Sequence, residues 1–309
     1  MISFVNAKIN IGLQIVGRRK DGYHDLQTVF YPVGLYAATP ANPVSFCDLL
    51  EMCESEGSGL ADGNNFRIIL SGRHIDCPLE KNLVYKAAKL YFDTQVKDSF
   101  GADIYLEKYL PDGAGMGGGS ADAAFVLKML RDLHAEYLCR SFNNDVRKET
   151  VSDEGLAELA LKLGADCPFF IYNKPAFASG IGERLQPIDL DLSGFWLLVV
   201  KPNVSISTRE AFAGITPQPA AADLRCLRRD NIHTWKDFVK NDFEDSFFAK
   251  YPQIASIKEK LYQRNALYAS MTGSGSCFYA IFDTFDKAQT ASEDFEKNPT
   301  IDASYLLKL

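Results

Sequence analysis

Leu110-Pro-Asp-Gly-Ala-Gly-Met-Gly-Gly-Gly-Ser120 places five glycines in the seven positions 113–119, and a segment with helical spacing follows at once. Glycine alone lets a backbone curl tightly enough to aim successive N–H groups at one anion. A helix starting directly behind such a loop adds its own unpaired N–H donors and the positive end of its dipole. Together these features predict a phosphate cradle. Glycines also serve tight strand-to-helix turns, but one or two would suffice for that. The hydroxyl of Ser120, which closes the run, could cap the helix, touch a phosphate or reach a Mg²⁺ ion.

Two familiar nucleotide patterns do not fit. Gly113-x-Gly115-x-x-Gly118 formally matches the dinucleotide fingerprint. Pro111, however, separates it from the preceding strand, and nothing beyond the loop reads as a second strand of that fold. The Walker pattern fails because Gly118-Gly119-Ser120 lacks its lysine.

Composition narrows the classes. The 309 residues allow one large domain or two ordinary ones, and 47% apolar with 24% charged residues is a globular balance. A net charge of −7 argues against general affinity for nucleic acid or an anionic membrane surface, so an anionic substrate must be held locally. The cysteines (47, 53, 77, 139, 167, 226 and 277) are odd in number and never form C-x-x-C, which reads as reduced thiols rather than disulfides or a zinc site. Asn10 and Gln14 interrupt the early apolar run, so no secretory pattern is seen, and no stretch reaches the ~18 apolar residues of a membrane span. A cytoplasmic protein, monomeric or weakly dimeric, is expected.

Apolar periodicity predicts early strands over 2–16 and a further strand over 26–35, with a polar turn at 17–22 between them. Residues 51–65 are acidic and glycine-rich, an exposed loop or hairpin tip. Helical spacing marks 83–92, and alternation marks a strand over 102–110 that leads into the glycine loop. From Ser120, the positions Phe125, Val126, Met129, Leu130 and Leu133 lie on one helical face. Residues 139–152 read as a surface excursion, and a helix over 154–163 stops at Gly164. Strands are predicted at 168–172 and 195–201, a connector at 216–229, and helices at 235–248 and 254–263. A strand that turns and returns over 269–282, then a helix at 285–296, complete the pattern. A composition break near 180–190 suggests domains of 1–185 and 186–309.

Lys8 lies among apolar residues in Asn6-Ala7-Lys8-Ile9-Asn10. It could be a strand-edge lysine reaching water or a cation held beside a reacting group. Asp166, in Leu163-Gly164-Ala165-Asp166-Cys167-Pro168, could be a turn aspartate or a base. A base, a cation and a phosphate cradle would make a phosphoryl-transfer set.

Three stretches together resemble the GHMP small-molecule kinases, from about residue 5 to about residue 283. They are Ala7-Lys8-Ile9-Asn10 with Gly12-Leu13, the run Pro111 to Ser120, and Met271-Thr-Gly-Ser-Gly-Ser-Cys277. Arg18-Arg-Lys-Asp-Gly-Tyr-His-Asp-Leu-Gln-Thr28, Leu163 to Phe170 and Pro202-Asn-Val-Ser-Ile-Ser-Thr208 are similar to the branch that acts on a cytidine diphosphate ester. The resemblance implies an α+β, two-domain fold: a ribosomal-protein-S5-domain-2-like N-terminal domain and a ferredoxin-like C-terminal domain, with ATP and substrate meeting in the cleft. It implies ATP and Mg²⁺ as cofactors and a small-molecule partner whose 2-hydroxyl, on a methylerythritol unit, is phosphorylated.

By the same resemblance Asp166 is the base, Lys8 orients the hydroxyl and Asn10 binds near the acceptor. Tyr23 and Phe212 would stack on the cytosine while His24 bonds its edge. Pro111, Gly113, Gly115, Gly117, Gly118, Gly119, Ser120, Asn82, Gly273, Ser274 and Gly275 would line the ATP site. Each has a plainer reading: Tyr23 and His24 as turn residues after Asp21-Gly22, Phe212 as core, residues 273–275 as a simple hairpin. Met116 replaces the leucine usual in the loop, Ala121 stands where a second serine is common, and Asp112 adds a charge beside the phosphates. A mevalonate or homoserine type of GHMP kinase, or a non-catalytic nucleotide sensor, would share the loop.

Overall fold

The computed structural model describes residues 1–34, 46–55, 65–142, 150–204 and 206–309, apart from the side chain of Phe142. The loops expected over 51–65 and 139–152 therefore lie partly outside the described residues. The chain packs as two compact units, each discontinuous in sequence.

The first unit comprises Met1–Asn6, Cys47–Asp112 and Gly117–Asn173. Its strands are the start of β1 (Ile2–Arg18), β3 (Cys47–Glu54), β4 (Phe66–Gly72) and β5 (Ala102–Lys108), in the order β4-β5-β3-β1. Strand β3 runs antiparallel to β1 and β5, whereas β4 runs parallel to β5. Helix α1 (Leu83–Gln95) forms the parallel crossover from β4 to β5 that such a pair requires. Helix α2 (Gly118–Phe142) packs on α1 and β3, while α3 (Asp153–Leu161) and α4 (Cys167–Tyr172) complete the unit. Ala121, Ala124, Leu127 and Leu130 of α2 are fully buried, the small residues allowing close approach and each buried leucine contributing roughly 2 kcal/mol.

The second unit comprises Ala7–Phe46, Gly113–Met116 and Lys174–Leu309. The remainder of β1 pairs with β2 (His24–Val33), followed by β6 (Ala176–Ser179) and β7 (Arg184–Pro187), all antiparallel. A separate sheet has the order β11-β8-β10-β9, built from β8 (Trp196–Pro202), β9 (Tyr268–Met271), β10 (Phe278–Phe282) and β11 (Ile301–Lys308). Between β8 and β9 come α5 (Thr208–Ala213), α6 (Trp235–Phe238), α7 (Phe243–Lys250) and α8 (Pro252–Gln263), and α9 (Phe285–Glu296) joins β10 to β11. Helices in both crossovers and the strand order make this a ferredoxin-like, split βαβ arrangement. Its core joins Leu198, Val200, Met271, Phe278 and Ala280 from the sheet to Ile257 and Leu261 of α8 and Phe295 of α9.

Several expectations are corrected. Residues 168–172 form helix rather than strand: Pro168 suits a first helical turn, and left-handed Asn173 (φ 51°) closes it with a 2.7 Å N–H bond to the Phe169 carbonyl. A short apolar run carries no period to tell the two apart. The helix expected over 235–248 breaks at Val239–Asp242, where the backbone instead bonds Leu13 of β1 in both directions at 2.9 Å. Glu51–Glu54 belong to β3 rather than a loop, and β4, β6, β7 and β11 were not anticipated. The proposed boundary at 185/186 falls inside the second unit.

Candidate active site

Both faces of β1 are covered from Val5 to Ile15, so Lys8, only 3% exposed, does not reach water as an edge lysine would. Its ammonium donates to the Asn10 side-chain oxygen and to the Gly115 carbonyl at 2.8 Å, and lies 5.1 Å from the Phe30 ring centre. The Asn10 amide donates to Thr28 Oγ1 at 3.0 Å, and Thr28 donates onward to the Gly12 carbonyl. The Asn10 backbone N–H donates to Thr272 Oγ1 at 3.0 Å, and that hydroxyl also lies 3.2 Å from the Gly115 carbonyl. Two of the acceptors around this buried ammonium, the Asn10 side chain and the Gly115 carbonyl, are thus themselves held by the hydroxyls of Thr28 and Thr272. Thr28 and Thr272 were missed as site residues; a threonine directly before the Gly273 turn was the available signal.

The second glycine turn, 272–277, is indeed the connection between β9 and β10, and it also backs the first loop. A Cβ on Gly273 would lie 2.8 Å from the Gly115 carbonyl oxygen, and one on Gly275 would lie 2.4 Å from the Gly115 nitrogen. Ser274 Oγ lies 3.2 Å from Thr208 Oγ1, at the start of α5, whose N-terminus Ser207 caps. Phe212 on the same helix stacks on His24, with centroids 5.0 Å apart and planes at 21°, and meets Phe243 edge-on at 4.9 Å. Tyr23, at 61% exposure, stands open to solvent on a turn held by Arg19 N–H to the Tyr23 carbonyl at 2.8 Å. Phe212 therefore has His24 as a stacking partner.

In the first unit, the Ala121 N–H bonds the Gly117 carbonyl at 2.8 Å, so helical bonding starts there. This leaves the N–H groups of Gly118, Gly119 and Ser120 as first-turn donors. A Cβ at Gly118 or Gly119 would meet nothing closer than 3.6 Å or 3.8 Å. The fold does not need these two glycines, each of which costs the helix about 1 kcal/mol. A ligand that must approach the backbone closely would need them. Gly113, Gly115 and Gly117 all have positive φ (63°, 71° and 72°), the alternation that turns successive N–H groups to one side. Pro111 is buried and Asp112 exposed.

Beneath this helix start, buried Lys108 pairs with Asp48 and, at 2.6 Å, with Asp122 of α2. Asp48 also accepts the Tyr109 and Leu110 N–H groups at 2.7 and 2.9 Å, fixing the entry to the loop. Burial and the neighbouring Asp48 push the Asp122 carboxyl up to about 8, against the opposing pull of Lys108. Burial works against the Lys108 charge, but the two carboxylates outweigh it and hold its pKa above the ordinary lysine value.

Asp166 occupies the position before α4 without capping it, and the buried Cys167 follows it. Burial, reinforced by the Asp166 charge, pushes the Cys167 thiol up to about 12. Asn82 caps α1, its side-chain oxygen accepting the Val84 N–H at 2.9 Å.

The family description "GHMP kinases N terminal domain" matches residues 82–174, and "GHMP kinases C terminal" matches 223–300. The chain belongs to the GHMP kinase family. It is 44% identical over 296 residues to a Bacteroides fragilis protein, with 96% of each chain covered, and 40% identical over 296 residues to one from Parabacteroides distasonis, covering 95% of this chain and 97% of that one. Both relatives are named 4-diphosphocytidyl-2-C-methyl-D-erythritol kinase. A crystal structure of 4-(cytidine 5'-diphospho)-2C-methyl-D-erythritol kinase matches with a TM-score of 0.74 at 29% identity, covering 100% of both chains. A homoserine kinase from Cytophaga hutchinsonii shares the fold at a TM-score of 0.70 and 16% identity, over 100% of this chain and 95% of that one. The expected α+β, two-domain GHMP kinase fold is borne out. Among the described residues, no helix of this kinase-family chain is long and apolar enough to cross a membrane.

Proposed function

We propose that this GHMP kinase transfers the γ-phosphoryl group of ATP to the 2-hydroxyl of 4-diphosphocytidyl-2-C-methyl-D-erythritol, a step of non-mevalonate isoprenoid precursor synthesis. The observation that carries the reading is a continuous line of contacts within the second unit. It runs from Lys8 through Asn10, Gly115 and Thr272 to Ser274, then through Thr208 and Phe212 to His24. A cation suited to a reacting hydroxyl stands at one end and a stacked aromatic pair suited to a base at the other. A cation and an aromatic pair joined by a polar stretch fit a nucleoside diphosphate ester, and the names of the relatives agree.

Asp166 takes the proton of the acceptor hydroxyl as its oxygen bonds the γ-phosphorus and ADP departs with the bridging electron pair. Lys8 holds that oxygen and offsets the charge that develops on it, while Asn10 orients the tetritol. Gly113, Gly115, Gly117, Gly118, Gly119 and Ser120 turn N–H donors to the triphosphate, with Pro111 shaping the loop. Gly273, Ser274 and Gly275 close over the phosphates, and Asn82 contacts the adenine. Ser120 would offer a hydroxyl to a Mg²⁺ ion, which would supply positive charge to offset that of the triphosphate. Phe212 and Tyr23 stack on the cytosine, with His24 moving off Phe212 to bond the base edge. The enzyme works in the cytoplasm as a monomer or weak homodimer.

ADP release measured with the cytidine diphosphate ester, mevalonate and homoserine tests the substrate, and only the ester should turn over. Asp166→Asn should lower kcat by at least about a thousandfold while ATP binding stays within about threefold. Near-normal turnover in that variant removes Asp166 from the mechanism, and no ADP from any substrate favours a nucleotide sensor.

A further inference from the structure

Outside the residues assigned above, the break between α6 and α7 carries a buried side chain with a complete set of bonds. Asn241 is 2% exposed. Its amide nitrogen donates to the carbonyls of Met271 and Gly273, both at 2.9 Å, and its oxygen accepts the Phe243 N–H at 3.0 Å. Two carbonyls demand donors and an N–H demands an acceptor, so the amide has only one workable orientation. The two carbonyls it holds bracket Thr272, the residue whose hydroxyl bonds both the Asn10 N–H and the Gly115 carbonyl. Asn10 and Gly115 in turn both accept from the Lys8 ammonium. The segment carrying Asn241 is itself laced to β1, by Leu13 N–H to the Lys240 carbonyl and Asp242 N–H to the Leu13 carbonyl at 2.9 Å each, and by Ile15 N–H to Asp242 Oδ2 at 2.7 Å.

We propose that Asn241 is a positioning residue for phosphoryl transfer, fixing the second glycine turn against β1 and, through Thr272, setting where the Lys8 ammonium stands. The helical break that sequence spacing did not anticipate thereby has a purpose: a continuous helix could not lay this amide between the Met271 and Gly273 carbonyls. The inference rests on the assignment of Lys8 above. Alanine at 241 leaves two buried carbonyls and one N–H without partners. Aspartate, of the same shape, turns two attractive contacts into repulsive ones.

Asn241→Ala, Asn241→Asp and Thr272→Val should each lower kcat for the diphosphocytidyl ester by roughly 10- to 100-fold, with KM for ester and ATP within about threefold, in assays well below the melting temperature. In a Lys8→Met background, Asn241→Ala should lower kcat by no more than about twofold further, because the residues act in series. Independently of any substrate, acetylation of Lys8 by an N-hydroxysuccinimide ester, read by mass spectrometry, should run roughly fivefold or more faster in the variants as the ammonium loosens. Variants with a lowered melting temperature but wild-type kcat and Lys8 labelling would overturn the proposal and leave Asn241 a packing residue. An equal kcat loss with and without Lys8 would overturn it too. If the wild type fails to phosphorylate the ester, the substrate assignment falls, and the labelling comparison still decides whether Asn241 positions Lys8. Thr272→Val cuts the relay one bond later, so it decides the matter should both Asn241 variants fail to fold.

Discussion

The helix start at Gly118-Gly119 and the turn at Gly273-Gly275 are equally rich in glycine, yet they contain it for opposite reasons. At 273 and 275 the protein itself forbids a side chain, since a Cβ would lie 2.8 and 2.4 Å from backbone atoms of Gly115. At 118 and 119 the protein leaves ordinary room, with nothing nearer than 3.6 Å. One pair of glycines serves assembly, and the other is explained by what must come close from outside. A glycine cluster in a sequence therefore does not by itself say which constraint produced it.

The sharpest way to break this contrast is to add one methyl group to each region. Gly275→Ala drives a Cβ into the backbone of Gly115, which no flexible side chain can relieve. We expect a loss of more than about 3 kcal/mol in urea unfolding, or insoluble protein. A soluble variant of wild-type stability would mean that the two loops are not pressed together. Gly119→Ala should do the reverse to stability, raising it by up to ~1 kcal/mol through helix propensity. It should nevertheless raise KM for ATP by roughly tenfold or more, because a methyl group then stands where phosphate oxygens approach. Unchanged ATP affinity would reduce those glycines to relics of a turn.

Smaller effects are expected farther along the second unit. Phe212→Ala removes the ring that stacks on His24 at 5.0 Å and should weaken ester binding by about 1–2 kcal/mol, read as KM, with ATP little affected. The smallest change concerns Cys167, whose thiol burial pushes up to about 12, as it does that of Cys277. A thiol reacts as thiolate, so at pH 8, far below these values, iodoacetamide should label exposed Cys53, Cys77 and Cys226 and spare both buried thiols. Labelling of Cys167 at the rate of the exposed thiols would show that the surroundings of Asp166 open readily.

Local chemistry made much of this legible. The glycine run, the amphipathic face of α2 and the strand-turn-strand over 269–282 were all readable because each rests on spacing or on residue type within a short window. The strand expected at 168–172 proved helical because a six-residue apolar segment has no period, and the left-handed Asn173 that ends it has no unique sequence signature. The helix expected at 235–248 was interrupted because hydrogen bonds to Leu13, more than 200 positions away, outweigh local helical preference at 239–242. Thr28 and Asn241 could not be chosen from sequence, since a buried threonine or asparagine looks no different there from an exposed one, and for Thr272 the only signal was its place before the Gly273 turn.

By itself the sequence determined the reaction class and the family, because anion binding by glycine and helix N–H groups is a local property and the motifs that carry it are contiguous. Tertiary structure alone decided how Lys8 is held: buried, with its ammonium shared between Asn10 and a carbonyl over a hundred positions away. It also decided that His24 rests on Phe212, and that a helix breaks to bring Asn241 under the second glycine turn. The physical reason is the range of the interactions. Backbone conformation answers to neighbours in the chain, whereas desolvation of a charge and the satisfaction of buried polar groups answer only to neighbours in space.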